Sequence, residues 1–455
     1  MRAVAGLVAL DVLLLATGAA VLYGFGLIRS LRTGLRFAGL AFVVGFAACG
    51  IAVSLSLIAG LAATVWQVLL FCATLAAAGV FLGRVVRPRA LEQPRAAIRG
   101  PIALGAAGLL GLYGLVLLVR TWLGGASTSW DAWAVWIPKA KSIVLFDGID
   151  LGVGGFASFA HPYYPPLVPG MDAVVFRFLG SIDPTRLPVQ EWLLFAAFVG
   201  SVAGLLAGRV PAQILWPSLL ALALMPSLSR LVGSSLADFP LAILFGLAGL
   251  CAAVWLLEGA GAYLAMSAVL LAAAALTKNE GLPLGLLLAA TLVVAALLTR
   301  RRTIAAAALL LPIPLLSVLP WKLWLSAHEL PQTTEFYYRD LFDLGYLSER
   351  LGRLGTALAE EPQYLLSPDR WLLAVPLLLA AAVLVAQSHK GLAVLAASIV
   401  VAGFFGQALV YWIGRPPIDW FIETSAERTL ATLAVFSASL LPLLLSEALR
   451  EPPSG

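Results

Sequence analysis

PIALGAAGLLGLYGLVLLVRTW, residues 101–122, carries a single charge, Arg120, close to its end. A helix of about 20 apolar residues crosses the ~30 Å hydrocarbon core of a bilayer, so this stretch is long enough to span one. Behind it lie Arg84, Arg87, Arg89, Arg95 and Arg99, and ahead of it comes the polar segment Ser129-Trp130-Asp131-Ala132-Trp133. The same alternation of apolar run and polar seam continues through all 455 residues, of which 61% are hydrophobic and 12% charged. A soluble globular chain carries about 25% charged residues, so the composition predicts an all-α polytopic membrane protein.

Reading apolar runs against their flanks predicts about thirteen spans. They lie near 4–28, 37–58, 61–83, 101–122, 188–208, 212–229, 239–257, 262–277, 281–299, 303–320, 371–388, 391–413 and 429–447. The first is too long for the apolar core of a signal peptide and reads as a retained span. Short loops rich in arginine set the orientation. Arg29, Arg32 and Arg36 fill one, the cluster from Arg84 to Arg99 a second, and Arg300, Arg301 and Arg302 a third. Placing all three in the cytoplasm puts the N-terminus outside and the C-terminus inside, with every parity satisfied. The net charge of +5 is then mostly a topology signal. It gives no support to nucleic-acid binding, because the arginine clusters are short and lack interleaved aromatics. Cys49, Cys72 and Cys251 lie inside apolar runs with no pairing motif and read as buried small hydrophobes.

The seam at 84–99 divides the chain into an N-terminal three-span extension, 1–99, and a transmembrane module, 100–455. Within the module two long loops, 123–187 and 322–370, fall on the outer side, and length without low complexity points to function. In the first, Trp130, Trp133, Trp136, Ile137, Ala140, Ile143 and Val144 recur on a helical period. That pattern predicts an amphipathic helix in the membrane interface, bent at Pro138. The second loop, with Glu335, Arg339, Asp340 and Asp343, predicts short surface helices.

Ionisable residues at span ends fall into register on this topology. Asp131 follows one span, Asp238 precedes another, Lys278 and Glu280 sit between two, and Arg428 opens the last, all at the outer face. Charges kept at a membrane boundary are costly and commonly functional. A carboxylate beside basic groups at headgroup depth suits group transfer from a lipid phosphate, the acid taking a proton from the attacking group and the cations holding the departing phosphate.

The stretch from Trp130-Asp131-Ala132-Trp133 to Pro138-Lys139-Ala140, then Tyr164-Pro165-Pro166-Leu167 and Arg177-Phe178-Leu179-Gly180, resembles the first outer loop of GT-C integral-membrane glycosyltransferases, in the protein mannosyltransferase-like and aminoarabinose-transferase-like branch. Further pieces are similar in order: Asp238-Phe239-Pro240, Leu276-Thr277-Lys278, and Leu319-Pro320-Trp321. The resemblance covers about 101–430 and rests on the order of the motifs, each weak alone. It implies transfer of a sugar from a polyprenyl-phosphate carrier to an acceptor hydroxyl or amine (on a glycan, lipid or protein), usually with inversion, on the extracytoplasmic face of the plasma (inner) membrane. The position that matches the family's catalytic base is Asp131, with Asp238 as a second candidate catalytic residue. The candidate substrate-binding residues are Lys278, Glu280, Arg428, His161, Tyr164 and Lys139.

Simpler readings compete at each position. Asp131 and Asp238 suit helix N-capping, Lys278 favours a helix C-terminus, and Glu280 suits a salt partner for it. His161 suits a solvated loop, and Tyr163 and Tyr164 suit interfacial anchors. Arg428 at a helix start opposes the dipole, which favours anion binding. Relatives pair the first acid with an adjacent one, but here Ala132 follows, and the next acids are Asp147 and Asp150. A lone carboxylate is a poor divalent-cation site, so a cation-dependent mechanism is not favoured, and no other cofactor is implied. The alternative functions are a transporter or flippase of a lipid-linked or small polar substrate, and a non-catalytic membrane assembly factor.

Overall fold

A computed structural model of the chain describes residues 2–86, 98–299, 304–333 and 335–450. Arg87, Arg89, Arg95 and Arg300 to Arg302, on which the expected orientation rests, lie outside the described residues. The described chain is helical with no strand, only an isolated bridge between Ala207 and Val210. Ten of its helices are long and apolar enough to cross a membrane, consistent with a multi-pass membrane protein. The other three expected spans coincide with shorter apolar helices, Ala212–Leu224, Gly261–Thr277 and Ala374–Val385.

The N-terminal part holds α1 (Arg2–Gly24), the short α2 (Leu31–Arg36), α3 (Ala38–Ile58) and α4 (Val65–Val85). Ser30 and Thr33 cap α2 reciprocally, and Thr64 with Gln67 does the same for α4, so polar seams between spans satisfy the helix starts. Small residues let α1 and α3 meet backbone to backbone. A Cβ on Gly45 would lie 1.9 Å from the Leu14 carbonyl oxygen, and Gly18 faces Ala41 as closely. The extension is not detached, because α3 also packs on helices of the larger module, and Arg36 donates through Nε to the Gly204 carbonyl at 2.8 Å.

After α5 (Pro101–Leu123) the first long interhelical segment folds as a π-turn, Ala132–Trp136, running into α6 (Ile137–Leu145), and later α7 (Leu167–Leu179). Pro138 has no N–H and its ring crowds the carbonyl four residues back, so the turn before it widens. The extra residue rotates the apolar stripe. Trp136, Ile137, Ala140 and Ile143 are buried, whereas Trp130 and Trp133, expected on the same stripe, are exposed. The buried face of α6 rests on α7.

Next come α8 (Leu187–Leu206), α9 (Ala212–Leu224), α10 (Pro226–Leu231), α11 (Asp238–Glu258), α12 (Gly261–Thr277) and α13 (Gly281–Thr299). The centre of the bundle is α11, buried from Asp238 through Trp255 between α12 and the last helix. The chain goes on through α14 (Ile304–Ala308) and α15 (Pro312–Ala327), and a second long interhelical segment carries α16 (Leu344–Glu349), α17 (Leu351–Leu365) and α18 (Pro368–Trp371). Three helices close the fold, α19 (Ala374–Val385), α20 (Lys390–Ile413) and α21 (Ile418–Ala448).

Two helices overrun their expected spans. Apolarity ends near 320, yet α15 runs to Ala327, because Trp321 and Leu325 are buried at helical spacing and Lys322 reaches Asn279 at 3.3 Å. Apolarity begins at 429, yet α21 starts at Ile418: Phe421, Ile422 and Ala426 bury one face, while Glu427 and Arg428 find partners. Arg428 therefore stands ten residues inside a helix, not at its start, and the expected dipole argument does not apply to it.

Candidate functional site

The first acid after α5 is placed by the π-turn. Asp131 stands just before it with helical backbone angles, φ −62° and ψ −32°, and its side chain caps no backbone N–H. The N-cap reading fails there. The carboxylate instead accepts from Nη1 of Arg428 on α21, and both side chains are about one quarter exposed, at 25% and 26%. Arg428 is held for this by its own helix, since Nε and Nη2 both donate to the Thr424 carbonyl, at 3.1 and 2.8 Å.

A second group faces the first. Asp238 is the first residue of α11 and 2% exposed, and the N-cap position before it is taken by Ala237. Its Oδ1 accepts from Nζ of Lys278 at 2.9 Å, and Lys278 reaches Glu280 at 3.0 Å. Lys278 lies in the turn between α12 and α13, which is tight because Gly281 meets the Ala274 carbonyl where a Cβ would sit 1.9 Å away. Burial alone would lower the Lys278 ammonium, but the Asp238 and Glu280 carboxylates outweigh it and hold it above the ordinary lysine range. Charges of alternating sign therefore run Asp131, Arg428, Asp238, Lys278, Glu280, with Arg428 and Asp238 in electrostatic reach of each other.

These residues wall a cavity of about 1000 Å³ that His161 and Tyr164 also line. Tyr164 stacks between Trp136, 5.4 Å away at an interplanar angle of 3°, and His161, 4.9 Å away at 16°. His161 has a left-handed φ of 53°, a region that histidine tolerates better than most residues. Its Nδ1 lies 2.6 Å from the Tyr163 hydroxyl and 3.6 Å from Glu335. Burial and the Lys139 charge push His161 down to about 4, so the ring is neutral. The loop is pinned from α15, where the Trp321 indole donates to the Tyr163 carbonyl at 3.0 Å.

Lys139, expected among the substrate-binding residues, does not line the cavity. It is fully buried behind the aromatic stack, its Nζ donating to the His161 carbonyl at 2.5 Å and lying 5.0 Å from the Phe156 ring centroid. Burial lowers it to about 7. What it holds is the His161 turn. Asp147 and Asp150 also stay out: the first pairs with Arg177, and the second accepts from the Gly152 N–H at 2.8 Å. Arg230 pairs with Glu427 at 2.5 Å outside the cavity.

The second acid near Asp131 comes from the segment between α15 and α16. Glu335 lines the cavity, and burial together with the Glu280 charge raises it to about 6 against the pull of Lys278 and Arg428. Its carbonyl accepts from the Arg415 N–H at 2.9 Å, and Arg415 also lies over the Tyr337 ring at 4.3 Å. Further along, Tyr346 donates to the Ile413 carbonyl at 2.9 Å and Arg350 to that of Gly414 at 2.5 Å. The second segment is thus strapped along the end of α20, beside the cavity. Among the described residues no three His, Cys, Asp or Glu side chains converge as a metal site.

No family model, no curated protein and no solved structure matches the chain. The resemblance to GT-C enzymes stands on the short motifs quoted above. Of the eight residues singled out from sequence, seven line one cavity. Glu335, Arg415, Trp420 and Thr424, which line it too, were not singled out. Arg415 carried a usable signal, being a lone arginine in a short turn away from the arginine-rich loops. Glu335 carried none, because its segment is charged throughout and without period.

Proposed function

We propose that this protein is a GT-C-like membrane glycosyltransferase of about thirteen spans that passes a sugar from a polyprenyl phosphate to an acceptor hydroxyl or amine on the extracytoplasmic face of the plasma membrane, its N-terminus outside and its C-terminus in the cytoplasm. The observation that carries the reading is the cavity in which a half-buried acid, Asp131, is paired with Arg428 opposite the buried Asp238–Lys278 pair.

In this mechanism the lipid phosphate enters between Lys278 and Arg428, and takes guanidinium donors that Asp131 otherwise occupies. Arg428 is the better clamp, since its planar fork matches phosphate oxygens two at a time, and Lys278 adds a point charge. Asp131, released from Arg428, accepts the proton of the acceptor O–H or N–H as that atom bonds to the anomeric carbon. The bond from that carbon to the phosphate oxygen breaks, its electron pair leaves with the polyprenyl phosphate, and configuration inverts. Asp238 is a positioning residue that holds Lys278. Glu280 holds the same ammonium from the other side, and His161 and Tyr164 offer a flat, mostly neutral wall to a sugar ring.

Position supports transfer over transport. Asp131, Asp238, Lys278 and Glu280 stand at or beyond helix ends, whereas a transport site is expected near the midplane on broken helices of related halves. The test offers purified protein a panel of polyprenyl-phosphate sugars and follows sugar loss. Asp131→Asn should cut turnover by roughly 10²–10⁴-fold, the usual contribution of a general base, while donor binding persists. Wild-type turnover in that variant would refute the role of Asp131, and no sugar loss from any donor would refute the reaction.

A further inference from the structure

A second cavity, of about 810 Å³, lies at the opposite end of the same helices. Asp238 at the start of α11 faces the first cavity, and Glu258 at its end accepts from Arg209, which lines the second. Twenty-one residues at 1.5 Å rise place the two roughly 30 Å apart, the thickness of a bilayer core. Helix α21 repeats the relation, with Arg428 in one cavity and Ser446 in the other.

The walls differ in chemistry. The first cavity mixes four carboxylates with its cations. Among the described residues the second has none, and it draws Arg99, Arg209 and Arg450 from three separate segments. Arg209 is built in: its Nε and Nη2 bind the two Glu258 oxygens at 2.5 and 2.9 Å, and Nη2 also meets the Tyr263 hydroxyl at 2.8 Å. Arg450 donates to the Arg209 carbonyl at 3.0 Å and pairs with Glu447 at 2.7 Å. Arg36 grips the Gly204 and Ala207 carbonyls behind the same turn. Four guanidiniums thus stand against two carboxylates, both of which lie outside the cavity wall. Arg99 is exposed and pairs with none of the described residues, while Trp216, Ile214 and Leu449 supply an apolar side.

A basic pocket with an apolar flank at a membrane face fits a phosphate joined to acyl chains better than a free ion. We infer that this cavity binds the phosphate headgroup of an anionic membrane lipid, with Arg99 on the phosphate, the exposed Arg450 adding its charge, and Trp216 beside the glycerol and acyl region. The site does not depend on the proposed transfer reaction, and it is read by lipid binding, not turnover.

The full chain in neutral detergent is mixed with phosphatidylglycerol, phosphatidylcholine or inorganic phosphate, and bound lipid is counted by native mass spectrometry alongside the melting temperature. The expected result is retention of phosphatidylglycerol over phosphatidylcholine. Arg99→Gln should weaken it by about fivefold, the usual worth of one basic residue at an anionic surface, and leave lipid-free melting unchanged. Arg99→Lys should keep most of the binding. Equal retention of both lipids, undiminished binding in Arg99→Gln, or equal stabilisation by inorganic phosphate would each overturn the inference.

Discussion

Replacing Lys278 with methionine tests whether the buried ion pair organises the site. The change keeps the apolar stem and removes the charge, leaving Asp238, at 2% exposure, without its 2.9 Å partner. Removing one member of a buried pair costs about 3–5 kcal/mol, because the remaining charge is desolvated and uncompensated. Arg428 is still within reach of Asp238, which places the loss near the lower end, about 3 kcal/mol. In a chain this long each kcal/mol lowers the melting temperature by roughly 1–2 °C, so the expected drop is roughly 3–6 °C. Removing both charges, as in Asp238→Leu with Lys278→Met, takes away the fully buried unpaired carboxylate and leaves only the more exposed Glu280 without its lysine, so stability should recover most of that loss. Sugar transfer should fall in both, because the Lys278 half of the phosphate clamp is gone in both while Arg428 remains. Thermal unfolding in detergent, with donor binding measured on the same preparations, separates the two effects. A single variant that melts with wild type, or a double variant as unstable as the single, would refute the ion-pair reasoning. A double variant with wild-type turnover would refute the role of Lys278.

Glu335 makes stability depend on pH in a stated direction. Its carboxyl is raised from 4.5 to about 6 in the folded chain, so its contribution is fully present below about pH 4.5 and is lost as pH rises through about 6. Glu335→Gln should remove that fall from the melting curve measured across the interval, and an unchanged pH slope would show that Glu335 is not buried beside Glu280. Gly45→Ala would set a methyl 1.9 Å from the Leu14 carbonyl oxygen, forcing α1 away from α3 at a cost of about 1–3 kcal/mol. Melting of the full chain reads this, and an unaltered transition would mean that α1 is not seated there.

Much of the site was legible because it is sparse. In a chain with 12% charged residues, an acid after a span or a lysine between two spans stands out, and the five ionisable residues that stand out this way line one cavity. Lys139, which the resemblance places among the binding residues, is buried outside the cavity wall, because the π-turn before Ile137 changes which face of α6 packs inward. The start of α21 was misread for a different reason: hydropathy stops at Arg428, but backbone hydrogen bonding does not stop where side-chain polarity begins. Glu335 needed the strap along α20 to bring it in, and no local pattern encodes that long-range pairing.

The amino-acid sequence determined the class of protein and the placement of most of its helices, since burial of apolar runs and the cost of charges in lipid are local properties of a chain. Only the tertiary structure decided which charges meet. Arg428 reaches Asp131 across 297 positions and Lys278 reaches Asp238 across 40, through packing of α21 and α12 against α11 that no single segment specifies. It also decided that the arginines of 99, 209 and 450, unremarkable in separate loops, share one cavity wall at the opposite end of the bundle.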